Sequence, residues 1–450
     1  MKKLFLILLI CILVTATKAQ FVPQSLTFPG NGYYTWYNDA VDSNTVWVGV
    51  DNIQNHAGYS SYSNAIKTSD GGNTWQFFSI PDTGTVIISN VCALNANTCY
   101  YVEYNGKGNI WKTENGGLSW INKTITEYTG GWANFYHAIS ADTGVAGGDP
   151  NGGYWEIYLT TNGGNSWSRV PSSNIPPILV GEYGSSSAFS AIGNYVWFVS
   201  NKGRCYRSIN KGLNWTFAQV TGTGNNYNVC FVDSLRGVFW QPYPVVKSNS
   251  TSYNTYFVTN DGGLTCTQQS LAARYYIRNF SRVPGVNGGM IISAYDNGGP
   301  TTTDILYTPD FFNTLTIIQT GLSSDGESCF YNNHSGWLSG DGNYNTSIYK
   351  FTGNLPVGVQ KITGELSQMR VYPNPSSAEA ILKVSSTSSA SSGTIRIFDI
   401  TGKEMETRNF LSSVPYIQLN AGNYSNGIYI IQMTGDDGVS SVCRWTVCHK

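Results

Sequence analysis

The chain has 450 residues, and its 26 Lys and Arg residues nearly balance its 27 Asp and Glu residues. This balance argues against nucleic-acid binding, because contact with phosphate groups needs a basic surface. Only 12% of the residues are charged, 14% are aromatic and 49 are glycine, a composition typical of a turn-rich, all-β protein.

Residues 1–19 have the pattern of a secretory signal peptide. Two lysines precede an apolar run over residues 4–14, and small residues follow as far as Ala19. The apolar run is shorter than the roughly 20 residues that a membrane-spanning helix needs, and no later run is long enough either. We therefore expect export into the periplasm and a mature chain that does not span a membrane.

An eight-residue phrase recurs six times, and successive copies start 45 to 51 residues apart. The copies are TSDGGNTW at 68–75, TENGGLSW at 113–120, TTNGGNSW at 160–167, SINKGLNW at 208–215, TNDGGLTC at 259–266 and TPDFFNTL at 308–315. A period near 45 residues is typical of one four-stranded propeller blade.

The third position of each copy is an Asp or Asn, whose side chain can accept hydrogen bonds from backbone N–H groups further along the turn. These residues are Asp70, Asn115, Asn162, Asn210, Asp261 and Asp310. The phrase resembles the Asp-box, or bacterial neuraminidase repeat, of sialidases, sortilin-type receptors, xyloglucanases and photosystem II assembly factors. In those families the box is mainly a folding device, so the resemblance implies a β-propeller in which these six residues are structural.

The propeller is expected to occupy residues 20–355. Each copy follows an apolar strand and a turn, and a seventh such unit at 336–351 has no copy after it. Its missing outer strand is expected from residues 21–28, which precede the first unit. This arrangement predicts a seven-bladed ring closed by the N-terminus, which removes two open strand edges.

A linker at 356–368 leads to a different module at 369–450, where alternating apolar residues and glycine turns predict a small β-sandwich. Four landmarks follow in order, namely Tyr372-Pro373-Asn374-Pro375, Ile397-Phe398-Asp399, Thr401-Gly402-Lys403 and Gly427-Ile428-Tyr429. The module resembles the type A C-terminal sorting domain of the type IX secretion system. The resemblance implies that the type IX machinery is a partner. It also implies export through the periplasm and a mature chain that is secreted or held at the outer-membrane cell surface.

The cysteines predict one disulfide and no metal site. A two-residue turn at Asn95-Ala96 would place Cys92 opposite Cys99 on a hairpin, so these two form the candidate disulfide. Other cysteines lack the spacing of a metal site such as CxxC.

Ligand binding is expected on the face opposite the repeated phrases, where the turns between second and third strands carry polar side chains. The candidates are Tyr33, Trp36, Asp51, Trp132, Asp149, Asp296 and Asp341. The aromatic rings can stack on a sugar or peptide, and the carboxylates can attract sugar hydroxyls or a calcium ion. The alternative is that these residues only build turns and pack between blades. No other cofactor is expected.

No catalytic residue can be assigned from the sequence. Sialidases with this repeat use three arginines from different blades, but here no arginine precedes Arg169, and Arg274, Arg278 and Arg282 fall in one blade. Carboxylate pairs such as Asp149 with Glu156, or Asp325 with Glu327, are not distinguished by their spacing.

The sequence therefore predicts an exported propeller that binds a glycan or a protein. An extracellular polysaccharide hydrolase that is not a sialidase, and a scaffold for assembly of surface proteins, are the two alternatives. Fold alone does not choose among the three.

Overall fold

The structure is a computed structural model. It describes residues 20–28, 33–52, 62–81, 87–104, 109–126, 128, 132–186, 188–220, 227–242, 251–297, 302–323, 327–340, 347–357, 369–384, 392–411, 416–435 and 440–449. The chain divides into two compact units, 1–359 and 360–450. Besides strands, the described residues form three short 3₁₀ segments, Ser172–Asn174, Thr251–Asn254 and Ala421–Asn423. Within these ranges, no helix is long and apolar enough to cross a bilayer.

The first unit contains seven four-stranded antiparallel sheets among its described residues. Its first strand, β1 (Phe21–Pro23), belongs to sheet 7. Sheet 1 contains β2 (Tyr33–Ala40), β3 (Val46–Asn52), β4 (Tyr62–Thr68) and β5 (Gln76–Ser79). Sheet 2 contains β6 (Ile87–Ala93), β7 (Cys99–Tyr104), β8 (Ile110–Thr113) and β9 (Ile121–Asn122). Sheet 3 contains β10 (Ala133–Ala138), β11 (Gly144–Asn151), β12 (Tyr154–Thr160) and β13 (Ser168–Arg169).

The next sheets repeat the same order. Sheet 4 contains β14 (Phe189–Ile192), β15 (Tyr195–Val199), β16 (Arg204–Ser208) and β17 (Thr216–Gln219). Sheet 5 contains β18 (Asn228–Phe231), β19 (Gly237–Trp240), β20 (Thr255–Thr259) and β21 (Thr267–Ser270). Sheet 6 contains β22 (Tyr275–Arg282), β23 (Met290–Asp296), β24 (Thr302–Thr308) and β25 (Thr316–Leu322). Sheet 7 contains β26 (Ser328–Asn332), β27 (Ser335–Ser339), β28 (Ile348–Phe351) and then β1.

Burial across each sheet explains its composition. The second strands are buried on both faces, because they lie between neighbouring sheets, and they read as continuous apolar runs such as YVWFV in β15 and GVFW in β19. The fourth strands lie at the rim, and β21, with sequence TQQS, is exposed throughout. The first strands contact one another in succession, as β2 contacts β6 and β22 contacts β26. The prediction of an all-β chain with a β-propeller is confirmed.

The N-terminal segment supplies the outer strand of sheet 7. Phe21 lies opposite Phe351 and Pro23 opposite Tyr349, and the backbone N–H of Gln24 donates to the carbonyl of Ile348 at 2.7 Å. The regular pairing covers Phe21–Pro23 and is shorter than the predicted segment of residues 21–28. The last sheet is thus completed by the first described strand of the chain.

The six repeated turns share one hydrogen-bond pattern. The hydroxyl at the first position accepts the backbone N–H four residues later at 2.8–2.9 Å, in Thr68, Thr113, Thr160, Ser208, Thr259 and Thr308. The Asp or Asn at the third position accepts the N–H four residues later at 2.8–3.0 Å. In the sixth turn Phe311 and Phe312 take positive φ angles of 53° and 70°, where the first turn has two glycines. The polar pattern therefore keeps the turn even where the residues that favour its φ angles are lost.

A basic side chain from one sheet reaches the repeated turn of the next. Lys67 lies opposite Trp47 in sheet 1, its ammonium is 4.7 Å from the centre of the Trp47 ring, and it donates to the carbonyl of Gly116 at 2.9 Å. Lys350 in sheet 7 lies over Trp337 and donates to the carbonyl of Gly71 at 2.6 Å. The second contact joins the last sheet to the first.

The predicted disulfide between Cys92 and Cys99 is wrong. Cys92 lies opposite Tyr100, and Cys99 lies opposite Ala93, so the turn is one residue longer than the two-residue turn that was assumed. The two side chains consequently pack in different apolar clusters, Cys92 with Tyr136 and Cys99 with Trp47. Both are free, buried thiols.

The second unit is a β-sandwich, as predicted. One sheet contains β29 (Met369–Tyr372), β30 (Glu379–Val384) and β33 (Tyr416–Asn420). The other contains β31 (Ser392–Asp399), β32 (Glu404–Leu411), β34 (Gly427–Gly435) and β35 (Ser440–Val447), in the order β32-β31-β34-β35. Their inner faces enclose one apolar core around Trp445.

The sorting-domain landmarks hold the strand ends of this unit. Asn374 donates to the carbonyl of Arg444 at 2.9 Å and accepts the N–H of Thr446 at 2.8 Å, so the Tyr-Pro-Asn-Pro segment binds the final strand. Asp399 accepts the N–H groups of Thr401 and Lys403, which shapes the turn between β31 and β32.

Candidate functional site

The predicted ligand-binding residues do not form one ring of free side chains. Tyr33 is packed, since its ring stacks on Phe28 at 5.2 Å and meets Phe77 edge-on at 5.5 Å. Asp296 lies 3.6 Å from the guanidinium of Arg274. Asp341, together with the side chains of Trp36 and Asp51, lies outside the described residues. Among the candidates that the structure describes, Trp132 and Asp149 lie together, since the N–H of Asp149 donates to the carbonyl of Trp132.

Asp149 fastens the loop that enters sheet 4. Its Oδ1 accepts the Asn134 amide and the backbone N–H of Gly184, each at 2.9 Å, and its own N–H donates to the carbonyl of Trp132 at 3.0 Å. Burial raises the pKa of this carboxyl, against the effect of those two donors. Asp149 is therefore an anchor, while the Trp132 side chain beside it is 44% exposed.

The loop anchored by Asp149 covers residues 175–184 and is held by a buried ion pair. Glu182 Oε2 lies 2.7 Å from Arg204 NH1, and both side chains are almost fully buried. The other carboxylate oxygen accepts the hydroxyls of Ser200 at 2.6 Å and Tyr206 at 3.2 Å. Because every oxygen of the buried carboxylate has a partner, the pair can fix the loop in one conformation.

The tip of this loop presents apolar side chains to solvent. The N–H of Glu182 donates to the carbonyl of Leu179 at 3.0 Å, which closes a tight turn with Val180 at its tip. Val180 is 98% exposed and Tyr183 is 45% exposed. Asn201, in the turn between β15 and β16, binds both Gly181 and Tyr183, so the tip lies on the face opposite the repeated turns. We call Trp132, Leu179, Val180 and Tyr183 the apolar tip.

A central channel of about 440 Å³ runs along the first strands of six sheets. One residue of each first strand occupies the same register in its sheet, and all of these residues except Cys92 and His137 line the channel. These residues are Asp39, Cys92, His137, Ser190, Cys230, Ser281 and Cys329. We call them the channel ring.

Most of the channel ring links one sheet to the next. The N–H of Ala93 donates to Asp39 Oδ2 at 2.8 Å, and the N–H of Phe231 donates to Ser190 Oγ at 3.0 Å. Cys92, Cys230 and Cys329 accept the N–H groups of Ala138, Arg282 and Ala40 in the same way. These polar side chains therefore satisfy backbone donors between sheets, which explains why polar groups occupy these positions.

Burial shifts the pKa values of acidic, basic and thiol groups in the channel ring and at Glu327. Burial raises the pKa of Asp39 to about 6, although the Ala93 N–H and the charge of Arg282 oppose it, and burial raises the pKa of Glu327 to about 7. Burial and then the charge of Arg282 lower the pKa of His137 to about 4. Burial also raises the pKa of the Cys92 thiol to about 12 and of Cys230 to about 11. These cysteines are thus neutral thiols near pH 7 and poor nucleophiles.

The arginines weighed for a sialidase site have other roles. The Arg169 guanidinium lies 3.7 Å from the centre of the Tyr154 ring and donates to the carbonyls of Asn151 and Tyr154. Arg278 is buried. Of Arg274, Arg278 and Arg282, Arg282 alone lines the channel, so no cluster of three arginines forms among the described residues.

The carboxylate pairs singled out by sequence do not form a described site. Glu156 is fully buried and accepts the Tyr158 hydroxyl at 3.4 Å, while Asp149 is occupied by its loop contacts. Asp325 lies outside the described residues. In the described ranges, no group of three His, Cys, Asp or Glu side chains is arranged to hold a metal ion. The calcium prediction involved the carboxylates of Asp51, Asp149, Asp296 and Asp341, and it stays a prediction.

Comparison with known proteins supports export and the propeller fold. Residues 370–446 match the family model of the secretion system C-terminal sorting domain. This match indicates handling by the type IX secretion machinery and export to the cell surface or the medium. No curated protein sequence matches the chain.

Several solved structures resemble the chain at low sequence identity. A structure described as YCF48 bound to D1 peptide has a TM-score of 0.53 at 13% identity, covering 75% of this chain and 97% of that one. YCF48 from Cyanidioschyzon merolae has a TM-score of 0.52 at 14% identity, covering 74% of this chain and 99% of that one. An extracellular domain of the putative hybrid two component system BT4673 from B. thetaiotaomicron covers 96% of this chain and 59% of its own, with a TM-score of 0.46 and 12% identity. At these identities the likeness to the two YCF48 structures shows the fold alone.

Proposed function

We propose that this protein is an exported, Asp-box propeller of seven blades that binds a protein partner through the apolar tip. The observation that carries the proposal is the combination of exposed aliphatic side chains with a rigid anchor. Val180 is almost fully exposed, whereas Glu182, two residues later, is buried in an ion pair. A flexible loop would hide its apolar residues, but this one holds them in water, which is typical of an interaction site.

A protein partner fits the apolar tip better than a glycan does. Leu179 and Val180 offer no hydrogen-bond donors or acceptors from their side chains, while sugar recognition depends on hydroxyl contacts. Trp132 and Tyr183 add flat rings of the kind enriched in protein interfaces. One solved propeller of this fold is described as bound to a peptide, which agrees with the proposal. Assembly of other surface proteins is one form that such binding can take.

The test measures binding of the purified mature protein to outer-membrane fractions of the producing cells. We expect binding that is lost after protease treatment of the membranes and kept after periodate oxidation of their glycans. Val180→Asp should weaken it at least tenfold, because a charge at the tip must be desolvated on contact. Leu118→Asp is the matched control, since Leu118 is 81% exposed in a repeated turn on the opposite face. Binding that periodate abolishes would assign the surface to a glycan, and equal loss in both variants would refute the role of the tip.

A polysaccharide hydrolase is the second candidate. The observation in its favour is that two carboxyl groups with raised pKa values, Asp39 and Glu327, line one channel. Release of reducing sugar from a panel of extracellular polysaccharides, lost in Glu327→Gln, would support this candidate. No release from any substrate would leave the channel without hydrolytic chemistry.

A further inference from the structure

The channel wall carries polar side chains that the fold itself does not use. Asn228 in β18, Asn279 in β22 and Glu327 next to β26 lie two residues before Cys230, Ser281 and Cys329 of the channel ring. They belong to three consecutive sheets and stand in equivalent register. Among the described residues, none of the three side chains has a hydrogen-bond or ion-pair partner, and all three line the channel.

Two other amides of the first strands show the contrast. Asn90, at the equivalent position of sheet 2, accepts the N–H of Tyr136 at 3.0 Å. Asn38 in sheet 1 donates to the carbonyl of Glu327 and to Ser339 Oγ, both at 2.8 Å. The amides of sheets 1 and 2 are therefore used in hydrogen bonds within the protein. The polar side chains of sheets 5 to 7 are left available to a ligand.

We propose that the channel is a separate binding site for a small, neutral, polyhydroxylated ligand of monosaccharide size, held by Asn228, Asn279 and Glu327. Each amide offers two N–H donors and one acceptor, and neighbouring hydroxyls of a sugar can both donate and accept. The channel volume of about 440 Å³ lies in the range of small-molecule sites and accommodates a single sugar ring.

The charges of the channel argue against an ion at the same place. A metal cation would meet only one carboxyl among the three groups, and burial keeps that carboxyl largely neutral below about pH 7, its raised pKa. Arg282, the cation that lines the channel, already acts on the carboxyl of Asp39, and an anion would meet Asp39 and Glu327 as repulsive neighbours once these two carboxyls ionise. A neutral ligand avoids both costs, and the protonated and ionised forms of Glu327 can each bind a hydroxyl.

The first test uses the intact mature protein and neutral monosaccharides, namely glucose, galactose, mannose and xylose, in calorimetric titrations. We expect at least one to bind, and Asn279→Ala to weaken that binding at least tenfold. Asn214→Ala is the matched control, because Asn214 is exposed in a repeated turn. Absence of binding by all four sugars, or unchanged affinity in Asn279→Ala, would overturn the proposal. Sodium glucuronate that binds more tightly than glucose, and loses this advantage in Arg282→Met, would also overturn it in favour of an anion.

The second test needs no variant and so does not depend on the folding of one. Cys230 and Cys329 line the same channel, whereas Cys448 is exposed in the other unit. Because burial raises the pKa values of the two channel thiols, alkylation by iodoacetamide is followed over hours at pH 9. A bound sugar should slow the alkylation of Cys230 and Cys329 at least threefold and leave that of Cys448 unchanged. If the sugar changed the alkylation rate of none of the three cysteines, the ligand would lie outside the channel.

Discussion

Replacement of Phe21 by alanine tests whether the N-terminal strand holds the propeller closed. Phe21 is 1% exposed, and its ring lies 5.2 Å from the ring of Phe351 and 6.3 Å from that of Phe330, both in sheet 7. The substitution Phe21→Ala removes this packing but keeps the backbone hydrogen bonds of β1. Core Phe→Ala substitutions cost about 3–5 kcal/mol in the free energy of unfolding. We expect a loss in that range.

Val22 provides the control within the same strand. Its side chain points to the other face and is 39% exposed, so Val22→Ala should change the free energy of unfolding by no more than about 0.5 kcal/mol. Urea unfolding followed by tryptophan fluorescence reports mainly on the propeller, because Trp445 is the single tryptophan of residues 360–450. The midpoint and the slope together give the free energy. A loss in Phe21→Ala below about 1 kcal/mol, similar to that in Val22→Ala, would refute closure by the N-terminal strand.

Three further predictions concern the repeated turns, the channel and the sorting domain. Thr160→Val should cost about 1–3 kcal/mol in urea unfolding by leaving the buried N–H of Gly164 without an acceptor, whereas Thr161→Val, at an exposed neighbour, should be nearly neutral. The folded-state pKa of Glu327 is raised from 4.5 to about 7, so its folding contribution is fully present below pH 4.5 and is lost as pH rises through 7. Glu327→Gln should therefore stabilise the protein at pH 8 by about 2–3 kcal/mol relative to its effect at pH 4, and an equal effect at both pH values would contradict the shift. Deletion of residues 369–450 should trap a folded propeller inside the cell envelope, and normal appearance of the shortened chain in the medium or on the cell surface would show that the sorting assignment is wrong.

The sequence predicted the parts of the fold that depend on local chemistry. The repeated turns were located because Thr, Asp and Gly at fixed offsets bind groups within the same eight residues. The sorting domain was located because its landmarks occupy turns and strand ends. Even the sixth turn, which has Phe311 and Phe312 in place of two glycines, was found from Thr308, Asp310 and Thr314 alone.

The disulfide prediction failed because strand register is not visible locally. A shift of one residue in the β6–β7 turn moves Cys92 and Cys99 to opposite faces of the hairpin, and the sequence between them does not distinguish the two turn lengths.

The candidate sites were missed for two physical reasons. Glu182 and Arg204 are 22 residues apart, and only the folded loop brings them together. No sequence motif is shared by Asn228, Asn279 and Glu327. They are equivalent only in the way their strands pair, so they can be aligned only when each first strand is paired with the second strand of its sheet. The sequence predicted Trp132 because aromatic rings on this face were expected to stack on a ligand. It did not predict Leu179 and Val180, which are aliphatic and belong to no repeated motif.

Site-specific photo-crosslinking at residue 180 tests the proposed binding function most directly. A photoreactive phenylalanine analogue replaces Val180 in cells that produce and export the intact protein, and a second strain carries it at Leu118 on the opposite face. We predict that irradiation at position 180 yields one discrete, protease-sensitive adduct that is absent at position 118. Identical adduct patterns at both positions, or no adduct at position 180 in protein shown to be exported and folded, would contradict a protein partner at the apolar tip.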